Sequence, residues 1–358
     1  MAFNRSEPYN DLPLLPPGVE LESRAVLKQA IAANRVLANL RGLAAKIPNQ
    51  GMLINSIVLQ EARLSSEIEN IVTTNDELYR AAADADGKTD PHTKEVLRYR
   101  QALYRGFQAL KERPLNANLF IEIVRLIKQV DLGIRAVPGT ALKNDLGEVI
   151  YTPPEGESRI RDLLGNLEQF IHAEDDLDPL VKMAVLHYQF EAIHPFPDGN
   201  GRTGRILNLL FLVEKGLLDI PVLFLSRYII ANRMDYYRGL LQVTEEQDWE
   251  SWILFMLRAV ESTAQQTFDQ VTRILDLMES VRERVQREEP GIYSKDLIEL
   301  IFREPYTKIQ FVVDLGLAKR QTASSYLQAL AGRGILREQK FGREKYYIND
   351  ALLLELTR

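Results

Sequence analysis

The sequence predicts a mainly α-helical protein with a small β-hairpin flap, followed by a C-terminal winged helix-turn-helix unit. Three observations predict it. Apolar residues recur at helical spacing through most of the chain before Pro290. One short β-prone run, Glu148 to Thr152, is flanked by Gly, Asn-Asp and paired prolines within GTALKNDLGEVIYTPPEG. After Pro290-Gly291, a helix, a turn, a second helix and two short strands follow in winged-helix order.

The Pro-rich opening through Pro17 reads as an extended arm. Val26, Ile31, Val36, Leu40 and Leu43 mark an amphipathic helix over Leu21 to Lys46. After the loop IPNQG, a second helix is expected over Leu64 to Val72. DADGKTDP reads as a polar loop, followed by helices over Thr93 to Glu112 and Asn118 to Val130. The flap comes next, and helices resume near Glu157. VKMAVLHYQFEAI, 181 to 193, and RILNLLFLVEK, with Gly216 as its C-cap, are strongly apolar helices on either side of a Gly-rich turn. KIQFVVDLGLAKRQTASSYLQALAGRGIL gives the helix-turn-helix, turning near Gly316, and REQKFGREKYYIN gives two strands around Phe341-Gly342-Arg343.

The chain has 358 residues, 46% hydrophobic and 26% charged, which is ordinary globular composition with ample core material. No apolar run approaches the ~18 residues of a membrane span. The start, MAFNRSEPYNDLPLLPP, lacks the basic and apolar regions of a secretory signal. The absence of cysteine excludes disulfides, thiolate nucleophiles and Cys-type zinc sites, and a reducing cytoplasm is the compartment expected. A formal net charge of −6 argues against a nonspecific nucleic-acid coat. His92, His172, His187 and His194 are too scattered to suggest a zinc cluster. DGKT at 86 to 89 resembles the end of a P-loop, but Ala82 stands where the first glycine belongs. The same stretch lacks EF-hand ligands at Ala82 and Thr93, so it reads as a solvated loop.

HPFPDGNGRTGR, 194 to 205, is where the chemistry concentrates. Its turn opens onto the N-terminus of a buried helix, where unpaired N–H groups and the helix dipole attract anions. Arg202 and Arg205, three apart, share a face in the first turn. Cations there are disfavoured by roughly 0.3–1 kcal/mol each unless something negative offsets them. Phosphate oxygens are the expected partners, with Gly199, Gly201 and Gly204 allowing close backbone approach. Asp198 suits Mg²⁺ shared with phosphates, and His194 suits a general base near neutral pH. A core histidine with arginines paired to local carboxylates is the alternative, and so many such features in twelve residues disfavour it. These residues define a Mg²⁺-nucleotide site with a base.

The same twelve residues resemble the signature of the Fic (Fic/Doc) family, His-x-Phe-x-Asp-Gly-Asn-Gly-Arg-x-x-Arg, at every fixed position. YNDLPLLPP, EVLRYRQAL at 95 to 103, VIYTPP and SRYIIANRMDYY at 226 to 237 are similar to that family too, so the resemblance spans roughly residues 8 to 260. It implies a Fic-type helical core that transfers AMP from ATP to a Ser, Thr or Tyr hydroxyl of a target protein, releasing pyrophosphate. Carried over, His194 deprotonates the hydroxyl and Asp198 holds Mg²⁺. Gly199, Asn200, Gly201 and Arg202, continuing into Thr203 and Gly204, cradle the phosphates, and Arg205 reaches the γ-phosphate. Ile150 and Tyr151 in the flap align the target by strand addition. Asn232, Tyr236 and Tyr237 face the adenine.

SSEIEN, 65 to 70, resembles the family's inhibitory signature Ser/Thr-x-x-x-Glu-Gly/Asn, as Ser65, Glu69 and Asn70. Its position before the core resembles the subgroup with an N-terminal inhibitory helix. A carboxylate in the γ-phosphate's place would pair with Arg205, and breaking a buried pair costs roughly 3–5 kcal/mol. The expected organisation is an N-terminal helical region with the inhibitory helix (1–90), a Fic core (91–260), a linking helix (261–290) and a winged helix (291–358).

Lys319, Arg320, Gln321, Thr322, Ser324 and Ser325 open the second helix of that last unit, a plausible groove-reading face. Residues 291 to 358 carry 11 Lys or Arg against 8 Asp or Glu, a mild net +3. A protein-docking role is therefore placed slightly ahead of DNA contact. The expectation is an auto-inhibited adenylyltransferase. Other phosphate transfer or removal of AMP on the same cradle, or a nucleotide-sensing DNA-binding regulator, are the alternatives. The target, the modified residue, the releasing signal and any homodimer are not encoded in a pattern we find.

Overall fold

The computed structural model describes residues 3–45, 47, 50–83, 89–144 and 146–358, with backbone alone at 50 and 52–55. Lys46, two residues of the IPNQG loop, Asp145 in the flap turn and the solvated loop from Asp84 through Lys88 lie outside them. Chain order gives α1 (Arg24–Ala45), α2 (Gln50–Ile68), α3 (Asn75–Ala83), α4 (Pro91–Ala109) and α5 (Ala117–Lys128). The flap strands β1 (Leu142–Lys143) and β2 (Val149–Tyr151) follow. After them come α6 (Glu157–His172), α7 (Pro179–Ile193), α8 (Asn200–Glu214), α9 (Leu225–Ala231), α10 (Arg233–Glu246) and α11 (Trp249–Glu288). The C-terminal unit contains α12 (Lys295–Arg303), β3 (Tyr306–Thr307), α13 (Ile309–Asp314), α14 (Arg320–Gly332), β4 (Arg337–Phe341), β5 (Glu344–Ile348) and α15 (Asp350–Thr357). The fold is mainly α, as the sequence predicts. None of its described helices is long and apolar enough to cross a membrane.

α7 and α8 form the centre. Almost every residue of α7 is buried, which is what a helix apolar on all sides requires. Asp178 caps it by accepting from the Leu180 N–H, with Pro179 at the first position. α8 packs against α7 and is equally enclosed down to Leu212. Gly204 belongs to this packing: a Cβ there would lie 2.4 Å from Glu191 Oε1 and 3.1 Å from the Phe190 ring. Its smallness serves the approach of α8 to α7.

α2 differs from expectation. It begins at Gln50, well before Leu64, because Ile57, Val58, Leu59 and Ala62 continue the buried surface without a breaking residue. It stops at Ile68, short of Val72, for a backbone reason. Asn70 is left-handed (φ 61°), and its N–H bonds to Glu67 O at 3.0 Å while Ile71 N–H bonds to Ser66 O at 3.0 Å. That pair of bonds is a Schellman ending, and asparagine or glycine is the residue that tolerates it. The reason a signature ends in Gly or Asn is visible in this turn. Asp90 as N-cap with Pro91 behind it likewise starts α4 before Thr93. The expected linking segment 261–290 is the latter part of one 40-residue helix, α11, which runs out of the core without a break.

The opening arm is pinned. Tyr9 N–H bonds to Thr152 O at 3.0 Å, Gln189 to Pro13 O at 2.8 Å, and Asn166 exchanges two bonds with Leu15. In the C-terminal unit, α13 turns through Gly316 (φ 70°) into α14, and β5 lies between β3 and β4 in an antiparallel sheet. The β4–β5 hairpin pairs Phe341 with Glu344 at its tip, as the wing was expected to do. This unit packs on α2, α3 and α11: Tyr306 donates to Asp76, and the Arg80 guanidinium lies 4.9 Å over the Phe341 ring.

Candidate active site

His194 follows the last turn of α7 in the left-handed conformation (φ 47°, ψ 60°), its N–H bonded to Phe190 O at 3.0 Å. From there the chain turns through PFPDG into α8. Asn200 closes that turn: its amide gives to Phe196 O and takes from Phe196 N–H, both at 2.8 Å. Thr203 Oγ1 bonds back to Gly199 O at 2.8 Å. The side chains of Asn200 and Thr203 thus shape the loop, and the main chain is left to meet a ligand. Gly199, the N-cap residue, has φ 85°, which an L side chain would strain. No side chain caps α8, so its first N–H groups lack partners from their own helix. A helix start of this kind suits an anion.

Both arginines are buried and both are paired. Arg202 Nη1 bonds to Glu95 Oε1 at 2.7 Å, and Lys128 Nζ bridges Glu95 at 2.9 Å and Asp198 at 2.6 Å. Arg205 stands in the second turn of α8 and not the first. It gives Nε to Ser65 Oγ at 2.8 Å and Nη2 to Ser65 O at 2.9 Å and Glu69 Oε1 at 2.7 Å. The offsetting carboxylates come from α4 and the end of α2, far along the chain. Glu69 also crosses the cradle itself: a Cβ on Gly201 would lie 2.3 Å from its Oε1. Ser65 and Glu69 thus meet the HPFPDGNGRTGR residues, while Asn70 shapes the turn that follows α2.

Electrostatics follow from this enclosure. Burial pushes the Glu69 carboxyl upward, but the Arg205 charge and hydrogen bond, with Arg202, hold it below its usual range. Burial also opposes ionisation of Glu95 and Asp198, and Lys128 with Arg202 overcomes it in each case. His194 is pushed down to about 4, first by burial and then by Arg135, against the pull of Glu69 and Asp198. Its ring is therefore neutral at pH 7, and Nδ1 has no partner. Burial pushes Glu61 and the half-buried Glu191 up to about 7. Glu61 ties α2 to α9 by accepting from Ser226 N–H at 3.1 Å and from its hydroxyl.

The remaining expected residues differ in their surroundings. Tyr237 is partly exposed, with Glu69 and Arg205 both acting on its hydroxyl. Tyr236 is buried, its hydroxyl 2.9 Å from His187 Nε2, so packing accounts for it. Asn232 gives its amide to Tyr228 O at 2.9 Å. Tyr151 is buried too, donating to Ala192 O at 2.8 Å, and it anchors the flap to the end of α7. Ile150 lies in β2, whose partner is β1. Sequence reasoning missed Glu95, Lys128 and Arg135. Glu95 stands inside EVLRYRQAL, but nothing local marks its role.

The helical core and the groups gathered at the start of α8 define a class, and the chain belongs to the Fic/DOC family. Its N-terminal family description matches residues 27–108, the Fic/DOC family description matches 114–212, and "Protein adenylyltransferase SoFic-like, C-terminal domain" matches 277–352. Among named relatives, a probable protein adenylyltransferase of Aquifex aeolicus is 39% identical over 87 residues, 24% of this chain and 27% of that protein. A protein adenylyltransferase Fic of Culex quinquefasciatus is 28% identical over 183 residues, 50% of this chain and 34% of that protein. The chain thus spans about a third or less of these relatives. A crystal structure of a Fic family protein from Desulfovibrio desulfuricans G20 shares the fold, with a TM-score of 0.58 at 20% identity over 93% of this chain and 98% of that one.

Proposed function

We propose that this protein is an auto-inhibited protein adenylyltransferase. The observation that carries the reading is the carboxylate of Glu69 lying against Gly201 with its Oε1 2.7 Å from the buried Arg205. A carboxylate there mimics a terminal phosphate, so the cradle suits a nucleotide and is blocked by the chain's own residue. The names of the relatives supply the reaction class.

In the transfer, the target hydroxyl oxygen attacks the α-phosphorus of ATP. The bond from that phosphorus to the β-bridging oxygen breaks, pyrophosphate leaves, and the hydroxyl proton passes to the neutral His194 ring. The α8 N-terminus and Arg202 stabilise the negative charge that develops. Arg205, once freed from Glu69, holds the terminal phosphate. No group of three or more His, Asp or Glu among the described residues could bind a metal alone. Asp198, partly exposed and now beside the Lys128 ammonium, fits a hard cation that brings phosphate oxygens with it. Mg²⁺ held there would neutralise phosphate charge. The flap pairs with the target backbone, and the C-terminal unit serves as a docking module for a protein, or for DNA through α14.

The test is label transfer with Mg²⁺ and ATP labelled at the α- or the γ-phosphate. α-Label should reach protein, increase in Glu69→Gly and vanish in His194→Ala. Transfer of γ-label instead would replace this reading with a kinase.

A further inference from the structure

An α-helix leaves its last carbonyls without intrahelical donors. At the end of α7 these are the carbonyls that lead into His194. Arg135, from the segment between α5 and the flap, takes the last of them and the two carbonyls that follow the helix. Its Nε gives to His194 O at 2.7 Å, its Nη2 to Ile193 O at 3.2 Å, and its main-chain N–H to Pro195 O at 2.9 Å. Nη2 also reaches Pro154 O, at the foot of the flap. The guanidinium is buried, and burial disfavours its charge, so only close acceptors justify it there. A cation at a helix C-terminus is favourably placed against the dipole.

We propose that Arg135 is a positioning residue for the transfer, holding His194 and the foot of the flap in one fixed relation through a single guanidinium. This rests on the adenylyltransferase reading. His194 has a left-handed backbone at an open turn, so its ring direction depends on what fixes the carbonyls on either side of it. The same fork holds Pro154, three residues beyond the strand that would present the target. The base and the hydroxyl it must reach are thereby held by one group. The planar fork is essential, since a lysine ammonium is a point donor and cannot span the three acceptors alike. The fork's hydrogen bonds go to Pro154, Ile193 and His194, and the phosphate-binding end of α8 is reached by other residues. Base placement should therefore fail separately from nucleotide binding.

The test uses Arg135→Met and Arg135→Lys in full-length Glu69→Gly protein. Misplacing a reacting group by about 1 Å can cost on the order of a hundredfold. Arg135→Met should thus lose about a hundredfold in kcat with the KM for ATP within about threefold, and Arg135→Lys should recover roughly tenfold of that loss. Unchanged kcat, or a fall in kcat matched by a rise in KM, overturns the proposal. A second readout needs no turnover. Among the ring signals of the four histidines, Arg135→Lys should shift and broaden that of His194 and leave that of His187 in place. An unmoved His194 signal overturns the proposal even if Arg135→Met fails to fold. If Glu69→Gly transfers no label yet the His194 signal moves, the functional reading fails and the positioning role stands.

Discussion

Glu69 and Arg205 meet at 2.7 Å although 136 positions separate them in the chain. The guanidinium is 1% exposed and the carboxylate 35% exposed, so the pair is closed on one side and open on the other. It is therefore worth less than a fully buried pair, roughly 1.5–3 kcal/mol for a charged hydrogen bond. If that energy holds the cradle shut, Glu69→Gly should raise initial α-label transfer about tenfold to a hundredfold. Time courses at saturating ATP check this.

The turn that presents Glu69 depends on Asn70. Glycine accepts φ 61° freely, whereas a β-branched residue there costs on the order of 1–2 kcal/mol. Asn70→Gly should keep basal transfer low. Asn70→Val should raise it several-fold and lower hydrogen-exchange protection at Asn70 and Ile71, whose N–H groups make the Schellman bonds.

The pH dependence of transfer follows from His194. Its pKa is pushed down to about 4, so the base is neutral and active above that value and protonated below it. Activity of the Glu69→Gly protein should rise through the acid range and level off by about pH 6. Removing Glu69 removes a charge that raises this pKa, which moves the limb lower still. A limb centred near 6.5 would show that the base is not this half-buried ring.

Stability should move the opposite way with pH. Glu61 and Glu191 are each pushed from 4.5 up to about 7 by burial. The folded state holds these protons more tightly than the unfolded chain. The stabilisation is thus complete below pH 4.5 and lost as pH rises through 7, about 3 kcal/mol for each group. His187 and His194, with lowered pKa values, oppose this trend up to about pH 6.5, so the melting temperature should fall from pH 6.5 to pH 8, and Glu61→Gln should flatten that slope. Thermal melts across this range check it.

The site was legible where its residues lie close in sequence. HPFPDGNGRTGR carries its turn, its helix start and its ionisable groups in one run, and Ser65 to Asn70 needs only one helix end. Glu95, Lys128 and Arg135 were not legible, because each reaches the site from a separate element and acts on a partner set by packing. The start of α2 was hidden for a related reason: buried residues around Ile57 continue past any single stripe, so periodicity gives no edge. Gly204 shows the converse. It lies inside the motif, yet its neighbours are Glu191 and Phe190 of the adjacent helix.

The most direct measurement is a crystal structure of Glu69→Gly protein grown with Mg²⁺ and a non-hydrolysable ATP. A terminal phosphate is expected within hydrogen-bonding distance of Arg205, with the remaining phosphates on the first N–H groups of α8. A nucleotide bound elsewhere, or none with Arg205 free, would contradict it.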